Sequence, residues 1–147
     1  SGKNKNVKLK NTSSEDGKIS FKIPDDCSIA WNGRSFEATS AAYPGMRISG
    51  KMEGEGFASM ASIIEKELKD DGIFSEGEEL DDTTYGKLWK EKSIITLNKG
   101  VRQHKYITST PLEGGGVFYL ILSCNYGDLP AALRNVFSTV VHNLVIK

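Results

Sequence analysis

Gly114-Gly115-Gly116-Val117-Phe118-Tyr119-Leu120-Ile121-Leu122-Ser123-Cys124 is the stretch that decides the fold. Three glycines release the chain into an extended run. Phe118, Leu120 and Leu122 then fall on one side of it and Val117, Tyr119 and Ile121 on the other. A strand apolar on both faces needs cover on both faces. Downstream, Asp128 is placed to cap a helix with Pro130 in its first turn. Leu133, Val136, Phe137, Val140 and Leu144 then recur at helical spacing toward the terminus. Upstream, Phe57, Met60, Ala61, Ile64 and Leu68 repeat at intervals of three and four until Gly72, which suits a helix stop. The expectation is an α+β fold: an antiparallel β-sheet covered by helices on both faces.

The remaining elements read outward from that core. Ile19, Phe21 and Ile23 alternate with Ser20 and Lys22, the period of a half-buried strand, and Pro24-Asp25-Asp26 stops it. Arg34 to Ala41 and Met46 to Met52 read as a hairpin about Tyr43-Pro44-Gly45. Leu88 to Leu97 and Val101 to Thr108 read as another about Asn98-Lys99-Gly100. Glu76 to Asp82 reads as an exposed loop or edge. Residues 1–17 are polar, with four lysines against the apolar side chains of Val7 and Leu9, and read as a flexible leader or tether to a single α+β domain over 18–147.

Length allows a full core, since a chain of 147 residues buries roughly 68–70% of its unfolded surface. A 38% hydrophobic and 26% charged composition belongs to a globular chain. Nineteen basic side chains balance nineteen acidic ones, so no global field draws the chain to nucleic acid, and none is expected as a partner. No apolar run approaches the roughly 18–20 residues that span a bilayer, so a membrane link is expected only through an N-terminal anchor removed from the Ser1-Gly2 end.

Chemistry is sparse. Gly45 to Lys51 has the glycine spacing of a phosphate-binding loop, but Met52 stands where a magnesium-binding hydroxyl belongs and the segment alternates like a strand. Gly54-Glu55-Gly56 lacks the third glycine of a dinucleotide fingerprint. His104 and His142 have no ligand or triad partner at a recognisable spacing. No catalytic residue, cofactor or metal site is therefore assigned. Cys27 and Cys124 have three readings: two buried thiols, a disulfide, or a catalytic thiol.

Charge, balanced overall, is segregated. Residues 65–82 hold nine acids against two lysines, a net of −7, and residues 87–105 hold six basic side chains against Glu91, a net of +5. The bland reading is a solvated helix face beside a lysine-blunted hairpin edge. The sharper one is a surface that meets another protein, with Asp70, Asp71, Glu78 and Glu79 as its acids and Trp31 and Trp89 as candidate anchors.

Ile19-Ser20-Phe21-Lys22-Ile23-Pro24-Asp25-Asp26, a middle helix, a long meander and an apolar strand followed by a terminal helix together resemble the PsbP/Mog-like group over about residues 17 to 147. Cys27 is a departure, at a position after the acidic pair where relatives often carry an aromatic or other residue. The resemblance implies a three-layer α/β/α sandwich around an antiparallel sheet. It also implies a class of accessory proteins: photosystem II extrinsic subunits, a nuclear-transport GTPase cofactor, bacterial lipoproteins and effector chaperones. What it carries onto this chain is a noncatalytic binder of another protein, extracytoplasmic or periplasmic. The rivals are a cytoplasmic chaperone-like partner of a GTPase or secreted effector, and a hydrolase whose groups converge only in space.

Overall fold

The structure is a computed structural model that describes residues 8–54, 60–71, 73–80, 90–98, 101–125 and 131–147. Among them run β1 (Leu9–Ser13), β2 (Ile19–Pro24), β3 (Cys27–Asn32), β4 (Ser35–Ser40), β5 (Met46–Glu53), α1 (Met60–Asp71), β6 (Ile73–Leu80), β7 (Lys90–Asn98), β8 (Val101–Pro111), β9 (Val117–Cys124), α2 (Ala131–Asn143) and β10 (Val145–Ile146). Asp128, Pro130 and the Phe57 start of the first helix lie outside the described residues, as does the Lys99-Gly100 turn.

Seven strands form one antiparallel sheet in the order β3-β4-β5-β9-β8-β7-β6. The doubly apolar β9 lies at its centre, where neighbours on both edges satisfy its backbone. Phe118, Leu120, Leu122 and Cys124 join Phe36, Ala38, Met46 and Ile48 in one cluster, sealed by Phe137, Val140 and Val141 of α2 and by Ile19, Phe21 and Ile23 of β2. Val117, Tyr119 and Ile121 join Ile94, Ile107 and Ile63 of α1 in a second cluster. The fold is thus mostly antiparallel β with two helices among the described residues.

The first face departs from the expected helix-only cover. β2 leaves the large sheet and pairs with β1 and β10 in a second, three-stranded sheet, which shares that face with α2. β1 falls inside the stretch expected as a leader. It has no apolar side to announce it, and it is held by backbone pairing to β2 and by polar contacts: Thr12 Oγ1 accepts from Trp31 Nε1 at 2.8 Å, and the Cys27 carbonyl accepts from Lys10 Nζ. The turn between β1 and β2 is clamped to the β3–β4 turn by Asp16. Its carboxylate accepts from Ser14 Oγ at 2.7 Å, from the Lys18 N–H at 3.0 Å and from Arg34 Nε at 2.7 Å. These donors hold the carboxyl well below the usual carboxylate range. On the same face, α2 is anchored to β8 by Arg134, whose guanidinium carbon lies 5.4 Å from the Tyr106 ring centre.

Cys27 and Cys124 form no disulfide and are both buried in the first cluster, so the disulfide reading is corrected. The strand order explains why. Cys27 pairs with Ser40 and Cys124 with Met46, and one further step of the Thr39–Arg47 register sets Ser40 beside Met46. The two cysteines therefore end one lateral row of four strands, roughly 14 Å apart at about 4.8 Å per strand, about twice the longest Cα separation a disulfide bridges. Burial, with the Asp26 charge beside it, pushes the Cys27 thiol up to about 11 from 9.0. A folded value above the unfolded one makes stability complete below pH 9.0 and falling as pH rises toward about 11. The urea midpoint of the native chain should therefore drop across that window more steeply than that of Cys27→Ala. Parallel curves would show that the thiol does not carry the shift.

Candidate functional site

α1 covers only part of the second face. Its Ile63 sits on the β7-β8-β9 side, and Lys66 reaches across to β5, where its Nζ lies 3.0 Å from Glu53 Oε1. Beyond that pair, β3, β4 and β5 turn polar side chains outward, because the alternation that sends Phe36, Ala38, Met46 and Ile48 into the first cluster sends Glu37, Thr39, Arg47, Ser49 and Lys51 the other way. Gly50 belongs to this strand rather than to a phosphate loop. A Cβ there would collide with the Phe36 ring and come 3.1 Å from Leu120 Cδ2, so the missing side chain is the space that Phe36 fills.

Register assembles the surface from distant sequence. Arg47 pairs with Ser123, and Ser123 with Lys105, so Thr39, Arg47, Ser123 and Lys105 form one row across four strands. Ser49 occupies the next row, beside Glu37 and Ile121, and Lys51 the row after it, beside Tyr119. Here the polar half meets the apolar half. Between the rows and the β3 edge opens a basin of about 440 Å³, walled by Asn32, Ser35, Glu37, Arg47, Ser49 and Lys51, with Ser123 and Lys105 deeper in. A second hollow of about 230 Å³ shares Arg47, Lys105 and Ser123 and extends the depression toward Pro44, Gln103 and Asn125.

Most lining groups donate hydrogen bonds. Arg47 Nε lies 3.3 Å from Glu37 Oε1 in an exposed pair. Lys105 is only 4% exposed. Lys51 makes no ion pair among the described residues. Arg47, Lys51 and the buried Lys105 thus line the basin, with Glu37 as the one carboxylate there among the described residues. An open, donor-rich surface of this kind suits recognition of a ligand that accepts hydrogen bonds.

The residues expected from sequence are distributed elsewhere. Trp31 is half-buried. Its ring centre lies 5.8 Å from that of Phe21 and 5.1 Å from that of Phe36, and its Nε1 is committed to Thr12, so it supports the wall of the basin from the core side. Asp70 and Asp71 close α1, and Glu78 and Glu79 lie on β6, the far edge of the large sheet, where Glu79 pairs with Lys92. Trp89 lies outside the described residues. No group of three His, Cys, Asp or Glu side chains able to hold a metal occurs among the described residues, and no described helix is long and apolar enough to cross a membrane. In the sequence Arg47, Ser49 and Lys51 fall in the rejected phosphate-loop pattern and Lys105 in the basic run of 87–105, and nothing there brings the four together.

No family model matches the sequence, and no curated protein aligns with it. Solved structures do superpose. The Ran-binding protein Mog1p of Saccharomyces cerevisiae has a TM-score of 0.71 at 9% identity, over 95% of this chain and 96% of that one. LpqN, involved in cell envelope biogenesis of Mycobacterium tuberculosis, has a TM-score of 0.59 at 17% identity, over 97% and 92%. A protein of Bacteroides thetaiotaomicron has a TM-score of 0.55 at 17% identity, and the match covers 94% of this chain and 48% of that one. At these identities the likeness is one of fold, and the chain resembles the Mog-like proteins at that level.

Proposed function

We propose that this chain is a noncatalytic protein-binding or accessory protein, an α/β/α sandwich with α1 as its second outer layer, that meets its partner through the uncovered half of the large sheet. The observation that carries the reading is the basin itself: a polar, donor-rich sheet face that no helix covers among the described residues, beside one that α1 covers. The acidic run, with Asp70 and Asp71 at the close of α1 and Glu78 and Glu79 on β6, adds a second contact region on the same molecule. Export or tethering through an N-terminal anchor goes with this reading, and the fold shared with a cell-envelope protein supports it. The rival reading, a cytoplasmic partner of a GTPase, draws its support from the fold shared with a Ran-binding protein.

A photo-crosslinking amino acid placed at Asn32, exposed on the basin wall, is expected to give a discrete adduct in extracts of the source cells, competed away by excess unlabelled chain. The same group at Glu15, exposed in the β1–β2 turn, serves as the control. Identical patterns from the two positions, or a specific adduct from Glu15 alone, would overturn the assignment of the contact face.

A further inference from the structure

We infer that β3 is a docking edge for a second copy of this chain, the two β3 strands pairing antiparallel about a twofold axis at Ala30. The edge adjoins the contact face proposed above, but the inference does not rest on that reading.

Backbone hydrogen bonding carries the inference. β3 ends the large sheet and pairs with β4 on one side. The Asn32–Ser35 pair closes a two-residue turn and so exchanges backbone bonds, and Ala30–Glu37 and Ser28–Thr39 do the same at every second place. The N–H and C=O groups of Cys27, Ile29 and Trp31 therefore point away from β4. Lys10 bears out that parity, since its Nζ donates to the Cys27 carbonyl from outside the sheet. Among the described residues nothing bonds the backbone groups of Ile29 and Trp31. β1 leaves that ladder open, because what it offers β3 is the side chains of Lys10 and Thr12 and not its backbone.

Sheets usually guard such an edge with charge, proline or a bulge. β6, at the other end of the same sheet, has Glu76, Glu78 and Glu79 and a register shift between Phe74 and Glu76. Cys27-Ser28-Ile29-Ala30-Trp31-Asn32 has none of these. An edge in that state complements another strand, and antiparallel pairing makes it complement itself. Setting Ile29 of one copy opposite Trp31 of the other matches outward groups to outward groups on both sides of the axis and satisfies all four backbone groups of each pair. Ala30 then faces Ala30, so the closest pair, at about 4.5 Å between Cα atoms, is made by the smallest side chain of β3. Ser28 falls opposite Asn32, both exposed and uncharged, and the chain as a whole is neutral, so two copies do not repel. Past the strand ends, Asp26 of one copy approaches Arg34 of the other, and although each is already held within its own chain their signs are opposite. Ala30 and Asn32 also line the basin, so this pairing sets two basins side by side.

Two measurements on the full chain test it. Ala30→Cys places two thiols across the axis at a Cα separation of about 4.5 Å, within the span of a disulfide. Mild oxidation is expected to give a covalent dimer on a non-reducing gel, whereas Lys22→Cys, exposed on β2, stays monomeric, as does the native chain with Cys27 and Cys124 buried. Sedimentation equilibrium of the native chain over a concentration series is expected to show a reversible dimer. Ala30→Lys, which sets two lysines opposite each other at an exposed position, should raise its dissociation constant about tenfold or more, and Lys22→Glu should leave it unchanged. The inference is overturned if the native chain stays monomeric throughout the series, or if Ala30→Cys crosslinks no faster than Lys22→Cys. It is equally overturned if Ala30→Lys dimerises as the native chain does, because that dimer would use another surface.

Discussion

Phe118→Ala is expected to destabilise the chain by about 3–5 kcal/mol, the range for a fully buried aromatic reduced to a methyl. Phe118 is 0% exposed at the centre of the large sheet, with Met52 beside it on β5 and Thr110 on β8, in the cluster that joins the sheet to β2 and α2. Its neighbours belong to four separate elements, so the cavity cannot close without moving strands that are hydrogen-bonded on both edges. Against a total of about 5–15 kcal/mol for an ordinary domain, the loss is a large fraction of all the stability there is. Urea unfolding followed by circular dichroism measures it. Val101→Ala, at a valine 51% exposed on β8, provides the comparison and should shift the midpoint little. Equal shifts in the two variants would mean that the first face of β9 is not the sealed core described above.

The same strand explains how much of the fold the sequence reveals. β9 is legible because its apolar residues occupy both parities, and the only physical answer to that pattern is a central strand with cover on each side. The β4–β5 and β7–β8 hairpins are legible for the complementary reason, that turn residues punctuate alternating runs. β1 is illegible. Leu9 is exposed, its remaining side chains are polar, and what orders it is backbone pairing plus the reach of Lys10 and Thr12 to β3. β10 has two residues and no room for a period. β3 carried an overlooked signal: Cys27, Ile29 and Trp31 alternate, and Asn32-Gly33 begins a two-residue turn closed by the Asn32–Ser35 pair, with Gly33 at φ 62°. Pro24-Asp25-Asp26 ends β2 as its residues predict, and the turn that follows carries the chain from the three-stranded sheet to the large one.

The basin is hidden for a different reason. Its row of Arg47, Ser123 and Lys105 draws on residues far apart in the chain that only the β5-β9-β8 register brings side by side. Charge read along the sequence gathers instead at 65–82 and 87–105, which the fold spreads over α1, β6, β7 and β8. Linear charge runs report what one element presents, whereas a sheet face is built from every second residue of several strands.

The glycine run ahead of β9 leads to the second large effect. Gly116→Ala is expected to cost about 2–4 kcal/mol, combining a left-handed backbone penalty with an overpacking one. Gly116 has φ 85°, which an L side chain resists. A Cβ there would also strike the Glu53 carbonyl oxygen and come within 3.3 Å of both the Glu53 carbonyl carbon and the Gly54 Cα. Those are backbone atoms at the end of β5, held by the Glu53–Val117 pairing, so they cannot rotate aside as a flexible side chain would. The turn itself is fixed, since the Leu112 N–H donates to the Gly116 carbonyl and the Gly115 N–H to the Leu112 carbonyl, each at 3.0 Å. Relief by moving Gly116 would therefore loosen the β8–β9 hairpin from which both faces of the sheet are built. Gly114→Ala separates the geometric claim from a general intolerance of the loop: nothing lies within 4 Å of its Cβ position and its φ is outside the left-handed range. That variant should be neutral, or stabilising by about 0.4–1 kcal/mol through the unfolded chain. If the two alanines shift the urea midpoint by the same amount, the close approach of Gly116 to β5 is not what the glycine is there to permit.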